Sequence, residues 1–326
     1  MRFRGVGLGL FAAIALQASS ALGSPPAPKP HMFRARTALG QPNLEGMWSA
    51  NFLLTFEAQK DAPTLTLPEP QAKALGAARA KRVAAEFEHF LDPETPAQMQ
   101  TIDGLPIVRG ERRTRLVTLP ADGRLPYTAA ARAELAKQSG PDPADNPEER
   151  PNSERCLVGD GQPPLTSFTF GDQLQILQTR DHVVIHTEYG DDLRVIPFTD
   201  KHRPALFRSR LGDSIARWEG ATLVIETVRL PDSDRSHFYP TLLVPGEATV
   251  VERLTRVSAR ELLYQFTVID PKVYSATWSG EFSWYATDKP MYEHACHEGN
   301  YSLSGILAGA RHDEAVAKAK ASAPAS

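Results

Sequence analysis

Ala248-Thr249-Val250-Val251-Glu252-Arg253-Leu254-Thr255-Arg256-Val257 and, three residues later, Glu261-Leu262-Leu263-Tyr264-Gln265-Phe266-Thr267-Val268-Ile269 decide the fold. In the second run Leu262, Tyr264, Phe266 and Val268 make one apolar face and Gln265 and Thr267 the other, which is the period of a half-buried strand. In the first, Val250, Glu252 and Leu254 share a side. A joint of three residues has room only for an antiparallel hairpin.

Working outward, the same pattern predicts strands over Gln175–Thr179, His182–Tyr189, Leu193–Phe198, Ala216–Glu219, Thr222–Arg229, Val273–Trp278 and Glu281–Thr287. Most joints are short, so the predicted topology is an antiparallel meander. Leu223, Ile225 and Thr227 oppose Val224, Glu226 and Val228, and His186 and Glu188 share a side. A sheet with one apolar face and one carrying carboxylates and imidazoles either curls into a barrel or is solvated on one side. Gly46 and Trp48, in Asn43-Leu44-Glu45-Gly46-Met47-Trp48, resemble the Gly-x-Trp that opens lipocalin-type barrels. The expected fold is therefore mainly β, a barrel or strongly curled sheet, calycin-like in its implied class, with a few peripheral helices.

Before the meander, Pro68 and Pro70 suit the first turn of a helix over about 69–91, whose stripe is Leu75, Val83, Phe87 and Leu91. A second helix is predicted over about 126–138, and the Pro-, Asp- and Gly-rich stretch 139–164 is loop. These make a helical insertion at about 69–140. A last helix is expected over about 302–311, followed by an irregular Ala/Lys tail from 313. The organisation is then a leader up to residue 41, one β-rich domain over 42–312, and the tail.

The first residues predict export. Arg2 and Arg4 precede an apolar run of about 12 residues and a small, polar stretch ending near Ser24, with Ala21 and Gly23 at the positions a signal peptidase accepts. A membrane-spanning helix needs about 20 apolar residues, so an anchor is disfavoured and no membrane insertion is expected once the signal at 1–23 is cut. The expected location is periplasmic or secreted. A net charge of −3 with mixed signs supplies no field for nucleic acid. The 27 prolines and 22 glycines are spread as turn punctuation.

Cys156 and Cys296 are the two cysteines. In an exported chain the economical reading is one disulfide. It closes a loop of about 140 residues, for which loop entropy predicts roughly 4 to 5 kcal/mol of stabilisation. The alternative is a reactive thiol at Cys296, flanked by His294 and His297.

The densest chemistry is Met291-Tyr292-Glu293-His294-Ala295-Cys296-His297-Glu298-Gly299-Asn300-Tyr301. Three readings compete. His297 and Glu298 serve as acid and base, imidazole titrating near about 6.5. Alternatively His294 and His297, with Glu298 or Glu188, hold a divalent metal, although such a pair alone is not a recognised zinc spacing. In the third reading the segment is structural, with Asn300 and Gly299 shaping a turn and polar groups capping the next helix.

This string, and above all Ala295-Cys296-His297-Glu298-Gly299-Asn300-Tyr301, resembles the C-terminal signature of a large group of exported bacterial proteins of no established activity. The resemblance extends through Leu211-Gly212-Asp213-Ser214, Arg217-Trp218-Glu219-Gly220, Val251–Arg256, Leu263–Val268 and Trp278-Ser279-Gly280-Glu281, and begins near Asn43. It implies membership and no activity. The group's pattern has a histidine before the aspartate where this chain has Asp191. If that histidine carries chemistry, the departure implies another substrate or lost activity.

No Gly-x-Ser-x-Gly elbow or dinucleotide fingerprint appears. Gly159-Asp160-Gly161 reads as a turn, and His202, His237 and His312 as exposed. The function expected is cofactor-independent acid/base chemistry by a lyase, isomerase or hydrolase on a small, partly apolar molecule. His297 moves the proton, Glu298 and Glu188 orient it, and Arg194 holds an anionic group. His186, Asp192, Tyr292, His294, Asn300, Tyr301 and Trp218 complete the candidate site. The alternative is a periplasmic binding protein that carries a small ligand in the same cavity without catalysis.

Overall fold

The computed structural model describes residues 34–50, 54–86, 104–137, 146–150, 152, 154–166, 173–231, 244 and 246–322, with only the backbone described at 83, 84, 86 and 137. The export segment, most of the leader, and Phe87 and Leu91 of the predicted helical stripe lie outside the described residues. Among them no helix is long and apolar enough to cross a membrane.

The protein is mainly β, an antiparallel meander nearly closed into a barrel. Its wall is built from β1 (Gly46–Ser49), β6 (Gln173–Gln178), β7 (His182–Thr187), β8 (Asp192–Pro197), β9 (Asp213–Glu219), β10 (Thr222–Val228), β11 (Thr249–Arg256), β12 (Glu261–Ile269) and β13 (Trp278–Ala286). The order β8-β7-β6-β1-β13-β12-β11-β10-β9 follows the chain, with β1 inserted between β6 and β13. Every neighbouring pair along this path is antiparallel. Nine alternating strands cannot close a ring with antiparallel joints alone, so one junction must be parallel. It is the seam between β8 and β9, bridged at Phe198 and Ala216 in parallel sense.

Alternation sorts the wall as the sequence indicates. Leu262, Tyr264, Phe266 and Val268 face in, as do Val250, Glu252 and Leu254, and all of these are buried. Trp48 is fully buried and its Nε1 donates to the Leu44 carbonyl at 3.0 Å. Tyr264, Phe266, Trp278 and Phe282 pack together inside the barrel, their rings meeting edge-on or tilted at 5.2–5.7 Å.

Three expectations are corrected. The strand predicted over 273–278 is a turn with a single bridge at Tyr274, and β13 starts at its last residue, Trp278, and runs through Gly280, which is no turn. A Cβ there would lie 2.5 Å from Phe266 Cζ, so the glycine makes room for a core ring. Residues 69–140 are not purely helical: between α1 (Glu69–Glu86) and α2 (Ala129–Lys137) run β3 (Ile107–Val108), β4 (Glu111–Arg113) and β5 (Val117–Leu119). With β2 (Thr66–Leu67), β4 and β3 form a second sheet, while β5 pairs β13. Arg113 and Arg109 reach Glu281 on the outer face of β13 at 2.7 and 3.1 Å, which is why an acidic residue is buried there. Finally, the predicted tail is helix: after the single turn α3 (Cys296–Gly299), α4 runs Tyr301–Ser322. Alanine and lysine are strong helix formers, and no proline intervenes before Pro324.

Candidate functional site

The end of the barrel where β8 and β9 begin carries the densest buried polar chemistry. Asp192 and Arg194 are two residues apart on β8 and share its inner face; Thr187 on β7 is the register partner of Asp192, and Ile185 that of Arg194. Arg194 crosses the seam. Its guanidinium donates to Glu252 on β11 through both Nη atoms, at 3.0 and 2.6 Å, and to Ser214 and Thr227 at 3.1 and 3.2 Å. Glu252 is fully buried and also accepts the Tyr264 hydroxyl at 2.9 Å. Tyr264 in turn accepts the Leu165 N–H at 2.7 Å.

Fixed charges follow from these contacts. Burial alone would weaken the Arg194 guanidinium, but Glu252 outweighs it and holds its pKa above the ordinary value. Burial and the neighbouring Glu252 carboxylate push the Tyr264 phenol well up, so it stays a donor. An ion pair this deep contributes little net stability, because desolvation consumes the Coulomb gain, but a lone partner would be strongly destabilising.

Leu165 belongs to a segment that packs on this end of the barrel, and its glycines do more than turn the chain. The Gly159 and Gly161 N–H groups both donate to Asp192 Oδ2, at 2.7 and 3.0 Å. Asp160 lies between them, its own N–H bonded to the Tyr189 carbonyl at 3.2 Å. A Cβ on Gly161 would sit 2.3 Å from Asp192 Cβ, and one on Gly159 would sit 2.2 Å from the Tyr189 oxygen. Only glycine permits this approach. Asp160 is 5 % exposed and its Oδ1 has no hydrogen-bond partner among the described residues. Burial, and then the charge of Asp192, raise its carboxyl well above the usual range. Burial also raises Asp192 against the pull of the two glycine N–H groups, and His294 lowers it in part. The His294 ring is 4.6 Å from that of Tyr189, and its buried Nδ1 has no partner among the described residues.

The Cys156–Cys296 disulfide ties these pieces together, with Asp160 four residues after one cysteine and His294 two residues before the other. Asn300 donates to the Glu154 carbonyl at 2.7 Å and accepts the Leu303 N–H at 3.2 Å, the N-cap of α4.

The remaining sequence-predicted residues scatter. The side chains of His297 and Glu298 are exposed on α3 and make no hydrogen bond or ion pair among the described residues, and they do not meet Arg194, which is buried in the barrel. Glu188 accepts the Tyr292 N–H at 2.8 Å, which fixes the 292 segment to the barrel end. His186 is on the outer face, its Nε2 2.6 Å from Asp191, the residue at which the chain departs from the motif group. Tyr292 and Tyr301 are exposed, and Trp218 stacks on Phe198 at the seam. His202, read as exposed, is half-buried and bridges Asp213 at 3.0 Å and Glu226 at 3.2 Å, while Arg229 also holds Asp213. Among the described residues no group of three or more His, Cys, Asp or Glu side chains is arranged to hold a metal ion.

Sequence reading missed Asp160, Glu252 and Tyr264 as site residues. For Glu252 a signal was present: a carboxylate on an otherwise apolar strand face demands a buried partner. Comparison with protein-family models, curated proteins and solved structures finds no match.

Proposed function

We propose that this protein is an exported enzyme that performs acid/base chemistry on a small, partly apolar molecule, without an organic cofactor, at the barrel end formed by Asp160, Asp192 and His294. One observation carries the reading. Asp192 is aimed by the Gly159 and Gly161 N–H groups on either side of a buried carboxyl, Asp160, that has an unpartnered oxygen. Fixed donors of this kind hold a carboxylate in one orientation, the first requirement of a general base. Its raised pKa brings it nearer to neutrality, where a base works best. Asp192 takes the proton, His294 exchanges it with solvent, and Asp160 polarises the reacting group. Glu252 is a positioning residue: it neutralises the Arg194 guanidinium, so Arg194 offers a substrate no free charge. His297 and Glu298, in water, lack this preorganisation.

The test is a panel of small C–H acids, esters and lactones incubated in D2O at pH 6 to 9 and followed by proton NMR. Turnover or deuterium incorporation is expected to fall at least about 100-fold in Asp192→Asn, the usual size of a general-base contribution, with the fold retained by circular dichroism. Turnover that survives Asp192→Asn but is lost in His297→Ala would move the chemistry to the exposed pair. A ligand bound equally well by wild type and Asp192→Asn, with no turnover, would leave a carrier in place of an enzyme.

A further inference from the structure

Three buried polar atoms without partners among the described residues lie about Asp192: Thr187 Oγ1 and Arg194 Nε on the inner wall, and Asp160 Oδ1 on the 159–161 loop bonded to it. Their residues are 3, 3 and 5 % exposed. Thr187 faces Asp192 across the β7–β8 ladder, Arg194 is the next inward residue of β8, and Asp160 lies between the glycines that grip Asp192. Leaving such atoms unpaired in a dry interior is unfavourable, and three together mark a place built for something that pairs them.

The chemistry of the missing group follows from the atoms. Arg194 Nε–H can only donate, and the threonine hydroxyl either donates or accepts. Burial and the charge of Asp192 both favour the protonated form of the Asp160 carboxyl, which donates. The Arg194 charge is already offset by Glu252, and the Asp192 carboxylate stands two residues from it on the same face of β8, so an anion would meet repulsion. The adjoining wall is apolar: Leu174, the register partner of Thr187, and Ile185, that of Arg194, are fully buried.

We infer that this place is a binding site for the oxygen of a small, uncharged carbonyl compound, held by Thr187, Arg194 Nε and Asp160 with its apolar part against Leu174 and Ile185. The inference deepens the function proposed above and rests on it only for what Asp192 then does: a base beside a polarised carbonyl removes an adjacent proton or activates water.

The experiment uses the oxidised, full-length mature protein and three probes of one shape: acetophenone labelled with 13C at its carbonyl, benzoate and ethylbenzene. Affinities are read by NMR titration, and the carbonyl stretch of bound acetophenone by infrared difference spectroscopy. Acetophenone is expected to bind at least about tenfold more tightly than either other probe, the equivalent of one good hydrogen bond. Its carbonyl stretch shifts to lower frequency, its affinity falls about tenfold in Thr187→Val, and Thr187→Ser restores it. No acetophenone binding, binding no tighter than that of ethylbenzene, or an unshifted carbonyl stretch would overturn the assignment and leave water as the partner of these atoms. The infrared result on wild type decides even if Thr187→Val fails to fold. A ketone held with a shifted carbonyl but never turned over would sink the enzyme reading and keep this one. Asp192-dependent turnover of a substrate lacking a carbonyl would do the reverse.

Discussion

Replacing Arg194 by methionine tests the internal logic of the barrel. The substitution keeps most of the side-chain volume but removes both guanidinium bonds to Glu252, leaving a fully buried carboxylate with the Tyr264 hydroxyl as its remaining donor. Breaking a buried pair in this way is destabilising by about 3 to 5 kcal/mol. Glu252→Met should be similar, because it strands the guanidinium. The double variant removes both charges. What remains is a Tyr264 hydrogen without its acceptor and the loss of the guanidinium's bonds to Ser214 and Thr227, which still pair with each other at 2.8 Å, an unfavourable contribution of about 1 to 3 kcal/mol. A double-mutant cycle should therefore show a coupling of at least about 3 kcal/mol. The assay is urea unfolding of the oxidised protein, followed by tryptophan fluorescence and far-UV circular dichroism, with equal slopes required before midpoints are compared. Two results would refute the reasoning: single variants within about 1 kcal/mol of wild type, the mark of a solvated surface pair, or singles whose effects simply add in the double.

Two further outcomes follow from the same end of the barrel. Replacing Cys156 and Cys296 by serine opens a loop with a sequence separation of 140 residues, so stability should fall by up to about 5 kcal/mol on the loop-entropy scale; amide exchange should rise at 154–165 and 290–300 before it rises in β11 and β12, and uniform acceleration would count against the local anchoring described here. Asp160→Asn should change stability with pH in a definite sense: the folded carboxyl titrates above its unfolded value near about 3.9, so the wild type holds its full contribution below that value and loses it as pH rises through the folded pKa. Thermal melts should then show Asp160→Asn gaining on wild type between pH 4 and pH 9, and a constant difference across that range would mean that Asp160 is not desolvated.

Much of the wall was legible because alternation reports burial directly. Val250, Glu252 and Leu254 were read onto one side, and Leu262 to Val268 onto another, because a strand buried on one face has no other way to write its sequence. The reading failed where a second layer covers the outer face. Around Gly280, β13 is buried on both sides, by the core rings within and by β5 and the arginines of the β3–β4 hairpin, Arg109 and Arg113, without. Alternation disappears there, and a glycine in a run without it looks like a turn. The parallel seam was hidden for a different reason: strand parity is a property of the closed ring and cannot be seen in any one hairpin.

The site was harder to read because functional-group density and desolvation are different things. Residues 291–301 crowd two imidazoles and two carboxylates into 11 positions, yet the side chains of His297 and Glu298 are exposed to water with no hydrogen-bond partner among the described residues. Gly159-Asp160-Gly161 looks like ordinary turn punctuation because its glycines serve close approach to Asp192 and Tyr189, a contact between segments some 30 residues apart. The sequence did contain one usable clue to the region. A glutamate between Val250 and Leu254 on an apolar face, and an arginine between Asp192 and Ile196 on another, are each prohibitively placed alone and tolerable only together. Pairing the two across the meander brings β8 to β11 across the seam, and with it Asp192, the carboxyl two residues from Arg194. A buried charge with no partner on its own hairpin therefore carries long-range information that a cluster of exposed ones does not.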